Sequence, residues 1–264
     1  MRLFYRSLGE GIPIIILHGL FGSSDNWIPV ARKIAERYRV VLVDLRNHGL
    51  SPHSDVHTYQ SMENDLVELL DDLNIDKAHI LGHSMGGKVA MKFAIDYPDK
   101  TISLIVADIL PRDYLKNQPQ FHQPFFETIE KIDLRNMETR KEIENEIKKI
   151  TSDQQIINSI LKNLRYSEKK FEWKINVAAL KTHQNHLLSQ INFDNLSKSP
   201  AKTNYPVLFI KGSESDYITD YEFNKTCNIF QKAKLETIIG TTHWLHFEKP
   251  DELSQLVTNF LESN

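Results

Sequence analysis

The most reactive pattern in the chain is Gly82-His83-Ser84-Met85-Gly86. A serine hydroxyl is a poor nucleophile until a base takes its proton and the backbone holds it clear of its neighbours. Glycines two residues before and two after allow a turn tight enough for this, because side chains at either position would meet the returning chain. The motif follows the apolar run 78–81 and precedes an amphipathic pattern over 88–97, which predicts a strand, a sharp bend and a helix. The helix N-terminus would then face the negative charge that develops when the serine attacks a carbonyl.

Such a serine needs a base. His243 follows the last predicted strand across Gly240-Thr241-Thr242, at the C-terminal edge where open α/β sheets bind ligands. His246 competes three residues later, entering the final helix. His83 sits inside the bend and reads as a packing residue that also borders the site. His53 and His57 lie four apart in a polar loop without neighbouring carboxylates, so they read as solvated and no metal site is expected. Developing oxyanions also need backbone donors. His18-Gly19-Leu20-Phe21-Gly22, between a strand and a helix beginning near Asp25, can offer the Leu20 or Phe21 amide, with Met85 as the second donor. His18 and Gly19 would border the substrate.

The elements that must position these groups are legible in the glycine distribution. Eight of the ten glycines lie between residues 9 and 87, two stand at 212 and 240, and none lies between. The flanks carry apolar runs at 12–17, 39–43, 78–81, 103–108, 206–211 and 235–239, separated by amphipathic patterns at 27–38, 62–73, 88–97 and 251–261. Alternation of this kind predicts a mostly parallel sheet with helices on both faces. The middle segment is rich in Lys, Glu, Gln, Asn and Ile, with a helical pattern over 138–163 broken near Thr151-Ser152. It reads as a helical cap, 112–204, inserted into a core of 1–111 and 205–264; a separate helical domain is the alternative. Phe121, Phe125, Phe126 and Trp173 could line an acyl pocket beneath that cap, or simply pack. The charged run 141–149 reads as a solvated helix face.

With 264 residues, 41% hydrophobic and 25% charged, and a net charge of −3, the composition is that of a soluble globular protein. It gives no reason to expect binding to nucleic acid or anionic membranes. The single cysteine, Cys227, excludes an internal disulfide framework and suits a reducing, cytoplasmic compartment. The run 12–17 is too short to span a bilayer, and 1–11 reads as a first strand rather than a signal peptide.

Taken together, HGLFGSSDNW at 18–27, VDLRNHGLSPHS at 43–54, GHSMGGK at 82–88, VADILPRDY at 106–114 and HWLHFEKP at 243–250 resemble the α/β-hydrolase superfamily. More narrowly they are similar to the YbfF-type bacterial acyl esterases and their mitochondrial relatives. The resemblance covers both flanks and only loosely the middle, around Phe171-Glu172-Trp173. It implies an eight-stranded-type α/β-hydrolase sheet with the cap after the sixth strand, and hydrolysis of short- to medium-chain carboxylic esters or thioesters through an acyl-enzyme. It implies no cofactor; the expected partner is a small acyl ester or thioester substrate, and the expected state a monomer or weak homo-oligomer. A C–C bond hydrolase or lyase on the same triad and a non-enzymatic small-ligand receptor remain alternatives.

The acid that orients the histidine has two candidates. In the usual hydrolase pattern it is the fourth residue of Gly-x-x-Asp after the penultimate strand. Here Gly212-Ser213-Glu214-Ser215-Asp216 puts Ser215 at that position and the carboxylate one residue late. Asp108 ends the strand after the elbow, and the resembling esterases take their acid there. Asp108 is favoured, with Asp216 as the alternative. Asp44-Leu45-Arg46-Asn47-His48-Gly49 reads as a loop held by side-chain hydrogen bonds, with His48 a possible neighbour of the substrate entrance.

Overall fold

Each apolar run of the two flanks becomes a strand of one sheet in the computed structural model, which describes residues 1–115, 122–191, 193 and 204–264. In chain order these strands are β1 (Tyr5–Leu8), β2 (Pro13–Leu17), β3 (Arg39–Val43), β4 (Ala78–His83) and β5 (Thr101–Ala107). A separate hairpin, β6 (Leu164–Ser167) and β7 (Lys170–Trp173), comes next, and β8 (Val207–Gly212) and β9 (Ala233–Ile238) complete the sheet. The sheet order is β1-β3-β2-β4-β5-β8-β9, and every pairing is parallel except β1 with β3. All six residues of β4 are buried, whereas the edge strands β1 and β9 are only partly covered. That is the burial expected of a parallel sheet shielded on both faces.

The two faces use alternate residues of the same strands. Ile14, Ile16, Val40, Leu42, Leu81 and Ile105 pack against α1 (Ile28–Ile34) and, at the far end of the chain, the Pro250–Glu262 helix. Ile15, Leu17, Val41, Val43, Ile80 and Val106 face α2 (Tyr59–Asp72) and α3 (Met85–Asp96). Thr58 starts α2 with a reciprocal cap, its hydroxyl accepting from the Ser61 amide.

Between β5 and β8 lie α4 (His122–Ile129), α5 (Arg140–Ile150), α6 (Gln154–Lys162), α7 (Val177–Thr182) and α8 (Gln184–Leu188), together with the hairpin. Counted along this chain, the insertion follows the fifth strand and not the sixth, because the described residues form a sheet of seven strands, one fewer than the eight-stranded type. The charged face of α5 is solvated and laced by Lys141–Glu144, Lys148–Glu144 and Lys149–Glu146 pairs, while Ile143 and Ile147 are buried beneath it. Lys88, on α3, ties the insertion to the sheet. Its fully buried ammonium donates to the carbonyls of Arg112 (3.1 Å) at the entry and Ser189 (2.6 Å) at the exit, and burial pushes it down to about 7. After β8 come α9 (Asp220–Thr226), α10 (Leu245–Glu248) and α11 (Pro250–Glu262). Among the described residues no helix is long and apolar enough to cross a membrane.

Candidate active site

Ser84 stands at the junction of β4 and α3 with φ 51° and ψ −119°, a conformation that L-residues enter only under constraint. The constraint is visible on both sides. A Cβ at Gly82 would lie 2.2 Å from the Gly86 carbonyl oxygen, and one at Gly86 would lie 2.5 Å from the carbonyl oxygens of Leu17 and His18. The Ser84 amide is anchored to the Ala107 carbonyl of β5 (3.0 Å). Ser84 is 8% exposed, and that exposure opens into a cavity of about 1230 Å³ that His243, Gly19, Leu20, His83 and Tyr217 also line.

His243 reaches this cavity from the loop after β9. Its Nδ1 lies 2.8 Å from Asp108 Oδ2, so Nδ1 carries the proton and donates to the carboxylate, leaving Nε2 as the acceptor. Asp108 is fully buried at the end of β5 with φ 53°. Its Oδ1 accepts from the Gly212 amide (3.2 Å), and its Oδ2 also accepts from the Ser215 hydroxyl. The Gly212 amide, the Ser215 hydroxyl and His243 Nδ1 thus fix the orientation of the carboxylate between them. Asp216 is exposed at the cavity rim and makes no hydrogen bond to His243. Ser215, in the position the usual pattern gives to the acid, supports Asp108 instead.

Two supports of His243 gave no signal in the sequence. The Tyr217 ring stacks on the imidazole, with centroids 3.8 Å apart and planes 12° apart, and Tyr217 is itself held through its carbonyl by the Tyr114 hydroxyl (2.9 Å). His83 Nε2–H donates to the His243 carbonyl (2.9 Å), so this packing residue fixes the loop that carries His243 as well as lining the cavity. Burial, with His246 and His243 nearby, drives the His83 imidazole well below its ordinary range, so it stays neutral. His246 is buried on α10, stacked on Trp27 at 4.9 Å, and burial lowers it to about 3.

The loop after β2 differs from expectation in one donor. The Phe21 amide is taken by His48 Nε2 (3.2 Å) and so is turned away from Ser84; Leu20, not Phe21, lines the cavity. The Met85 amide stands at the first turn of α3, beside Ser84. His18 does not line the cavity either. It is buried beneath the loop, donating from Nδ1 to the Gly19 carbonyl (2.8 Å) and accepting at Nε2 from the Leu45 amide (3.0 Å). His57 is not solvated: it is buried, with Nε2 against Met85 Sδ (3.4 Å), because the 44–57 loop folds back over the elbow. His53 is exposed, as its surroundings suggested.

The aromatic candidates for an acyl pocket separate. Phe125 is fully buried and stacks on Phe21 at 3.8 Å, with Phe126 edge-on to Phe21, so both belong to the packing that joins α4 to the loop. Trp173 is half-buried at the end of β7 and does not line the cavity. Phe121 lies outside the described residues. Beside Ser84 a small recess of about 20 Å³ is instead lined by Leu20, Tyr59, Ile109, Leu187 and Leu188.

A family model described as alpha/beta hydrolase fold matches residues 12–250. Among curated relatives, esterase YbfF of Escherichia coli is 34% identical over 94% of this chain and 92% of its own. An sn-1-specific diacylglycerol lipase of Danio rerio is 33% identical over 96% of this chain and 80% of its own. Among solved structures, a marine microorganism esterase superposes with a TM-score of 0.92 at 41% identity, covering 98% of this chain and 99% of that one.

Proposed function

The chain belongs to the α/β hydrolase fold family and is an ester hydrolase of that family, and from this premise we propose that Ser84, His243 and Asp108 form its catalytic triad. The observation that carries this reading is the 2.8 Å pairing of His243 with the buried Asp108 on the cavity that Ser84 enters. In the proposed cycle, His243 Nε2 takes the Ser84 proton as Oγ attacks the ester carbonyl. The oxyanion is received by the Leu20 and Met85 amides. Protonated His243 then gives its proton to the departing oxygen or sulfur. Water, deprotonated by the same nitrogen, cleaves the acyl-enzyme and restores the serine. The imidazolium formed in each half is stabilised by Asp108 and by the face of Tyr217. Each oxyanion amide is worth about 3–4 kcal/mol of transition-state stabilisation.

The substrates proposed are short- to medium-chain acyl esters or thioesters. The recess beside Ser84 has room for little more than a methyl group, so most of the acyl chain and the leaving group would lie in the wide cavity. The described part of the insertion would serve as a cap over this cavity, through Arg112, Tyr114, His122 and Ile156 on its wall. A cytoplasmic enzyme, acting without a bound cofactor, fits this chemistry. The test is a kcat/KM profile over p-nitrophenyl esters and matching acyl thioesters of increasing chain length. A maximum at short chains that vanishes in Ser84→Ala supports the reading; a profile that survives the substitution refutes it.

A further inference from the structure

Phe21 is held from two directions at once. From the core, His48 Nε2 accepts its amide proton (3.2 Å), while His48 Nδ1–H donates to the Arg46 carbonyl (2.9 Å), which fixes the imidazole as the neutral tautomer able to accept. Burial, with His18 and His57 alongside, drives His48 well below its ordinary range and keeps that acceptor in place. From the insertion, buried Asn163 at the end of α6 donates from Nδ2 to the Phe21 carbonyl (2.9 Å), and the same nitrogen bonds the Ser159 carbonyl (2.9 Å). The ring of Phe21 is clamped by Phe125 and Phe126 of α4. Phe21 itself has φ 61°, a left-handed conformation that a phenylalanine keeps only when its surroundings impose it.

Leu20 is the residue before this joint: the Phe21 amide held by His48 belongs to the Leu20–Phe21 peptide, and the Leu20 amide, one peptide earlier, is separated from that held plane by the Leu20 φ and ψ alone. We infer that Asn163 and His48 are positioning residues for the reaction, setting the direction of the Leu20 amide through Phe21, so that the seating of the cap completes the oxyanion hole. The inference rests on the proposed role of Ser84 and the Leu20 amide and adds a purpose to two features that role leaves unused: the His48 loop and the polar end of α6. Oxyanion donors act over a narrow geometric range, and displacement of about 1 Å can cost as much as about 100-fold in rate.

The experiment measures p-nitrophenyl acetate turnover, thermal unfolding, and inhibition by an alkyl trifluoromethyl ketone, which Ser84 would add to as a tetrahedral oxyanion. Asn163→Ala removes the grip on the carbonyl; His48→Ala removes the grip on the amide from the opposite side and stands in if the first variant folds poorly. Lys181→Ala, which breaks only an exposed ion pair with Glu130 on the cap, is the control and keeps wild-type kinetics. The expected result is a kcat lowered about 10- to 100-fold with KM within about two-fold, and ketone affinity falling in step with kcat. Restoring a carbonyl-facing donor with Asn163→Gln recovers part of the loss. A variant with lower thermal stability but unchanged kcat and ketone affinity overturns the inference, as does one in which only KM rises. Ser84→Ala, assayed alongside, separates the two levels: full activity there removes the triad, whereas its loss with intact Asn163 and His48 variants removes this inference alone.

Discussion

Asp108→Asn is the substitution whose outcome follows most closely from the hydrogen bonds around the base. The Gly212 amide donates to Oδ1 at 3.2 Å, so the oxygen of the new side chain stays on that side and its NH₂ turns towards His243 Nδ1 and Ser215 Oγ. Ser215 can rotate to accept, but the imidazole cannot accept a hydrogen bond at Nδ1 without carrying its own proton on Nε2 instead. The base then presents N–H to Ser84 where it should present a lone pair. Loss of the correct tautomer with geometry preserved costs about 10⁴-fold in kcat, equivalent to about 5.4 kcal/mol. The assay is steady-state p-nitrophenyl butyrate hydrolysis, with near-UV circular dichroism to verify packing. Asp216→Asn, on the exposed rim, changes kcat by less than about three-fold, since a rim charge in water interacts weakly with the site. Retention of activity by Asp108→Asn, or a comparable collapse in Asp216→Asn alone, refutes the assignment.

Two further predictions concern stability. Phe125→Ala empties the stack on Phe21 and lowers unfolding free energy by about 3–5 kcal/mol, read by urea titration, while acyl-chain preference is retained; lost preference at unchanged stability would return Phe125 to the pocket. Acid should destabilise the fold through its buried imidazoles. Burial lowers His57 and His246 to about 3 and His79 to about 4, from 6.5. The unfolded chain therefore takes up protons that the folded one refuses. Stability is fully present above pH 6.5 and falls towards pH 4, by about 1.4 kcal/mol per histidine at pH 5.5, or about 4 kcal/mol for the three. Unfolding free energy that stays flat between pH 7.5 and 5.5 would contradict this.

What the sequence disclosed and what it hid have physical causes. The sheet was legible because β2, β3, β4 and β8 are short, mostly apolar runs bounded by polar loops, and the break between α5 and α6 is marked by Thr151 and the capping Asp153. The β6–β7 hairpin was not. Its turn places Glu168 and Lys169 at φ 51° and 64°, a conformation usually announced by Asn-Gly, so no turn signal was there to read. At the site, Ser84 and His243 were readable from motif and strand order, whereas the preference for Asp108 over Asp216 leaned on the resemblance to the esterases, because the usual Gly-x-x-Asp position holds Ser215. The use of the Phe21 amide by His48 was not readable, since it depends on a contact between loops 27 residues apart in the chain. The same is true of His57, whose polar neighbours concealed that its loop folds over Met85. Local composition cannot show which side of a loop meets the core.

In the proposed cycle the Ser84 hydroxyl carries the acyl group between substrate and water. Mass spectrometry of enzyme quenched with acid during p-nitrophenyl acetate turnover tests it directly. The expected result is a single acetyl adduct on the peptide that contains Ser84, absent from Ser84→Ala, together with loss of turnover in that variant. An adduct on another residue, or a Ser84→Ala enzyme that turns over at the wild-type rate, would contradict it.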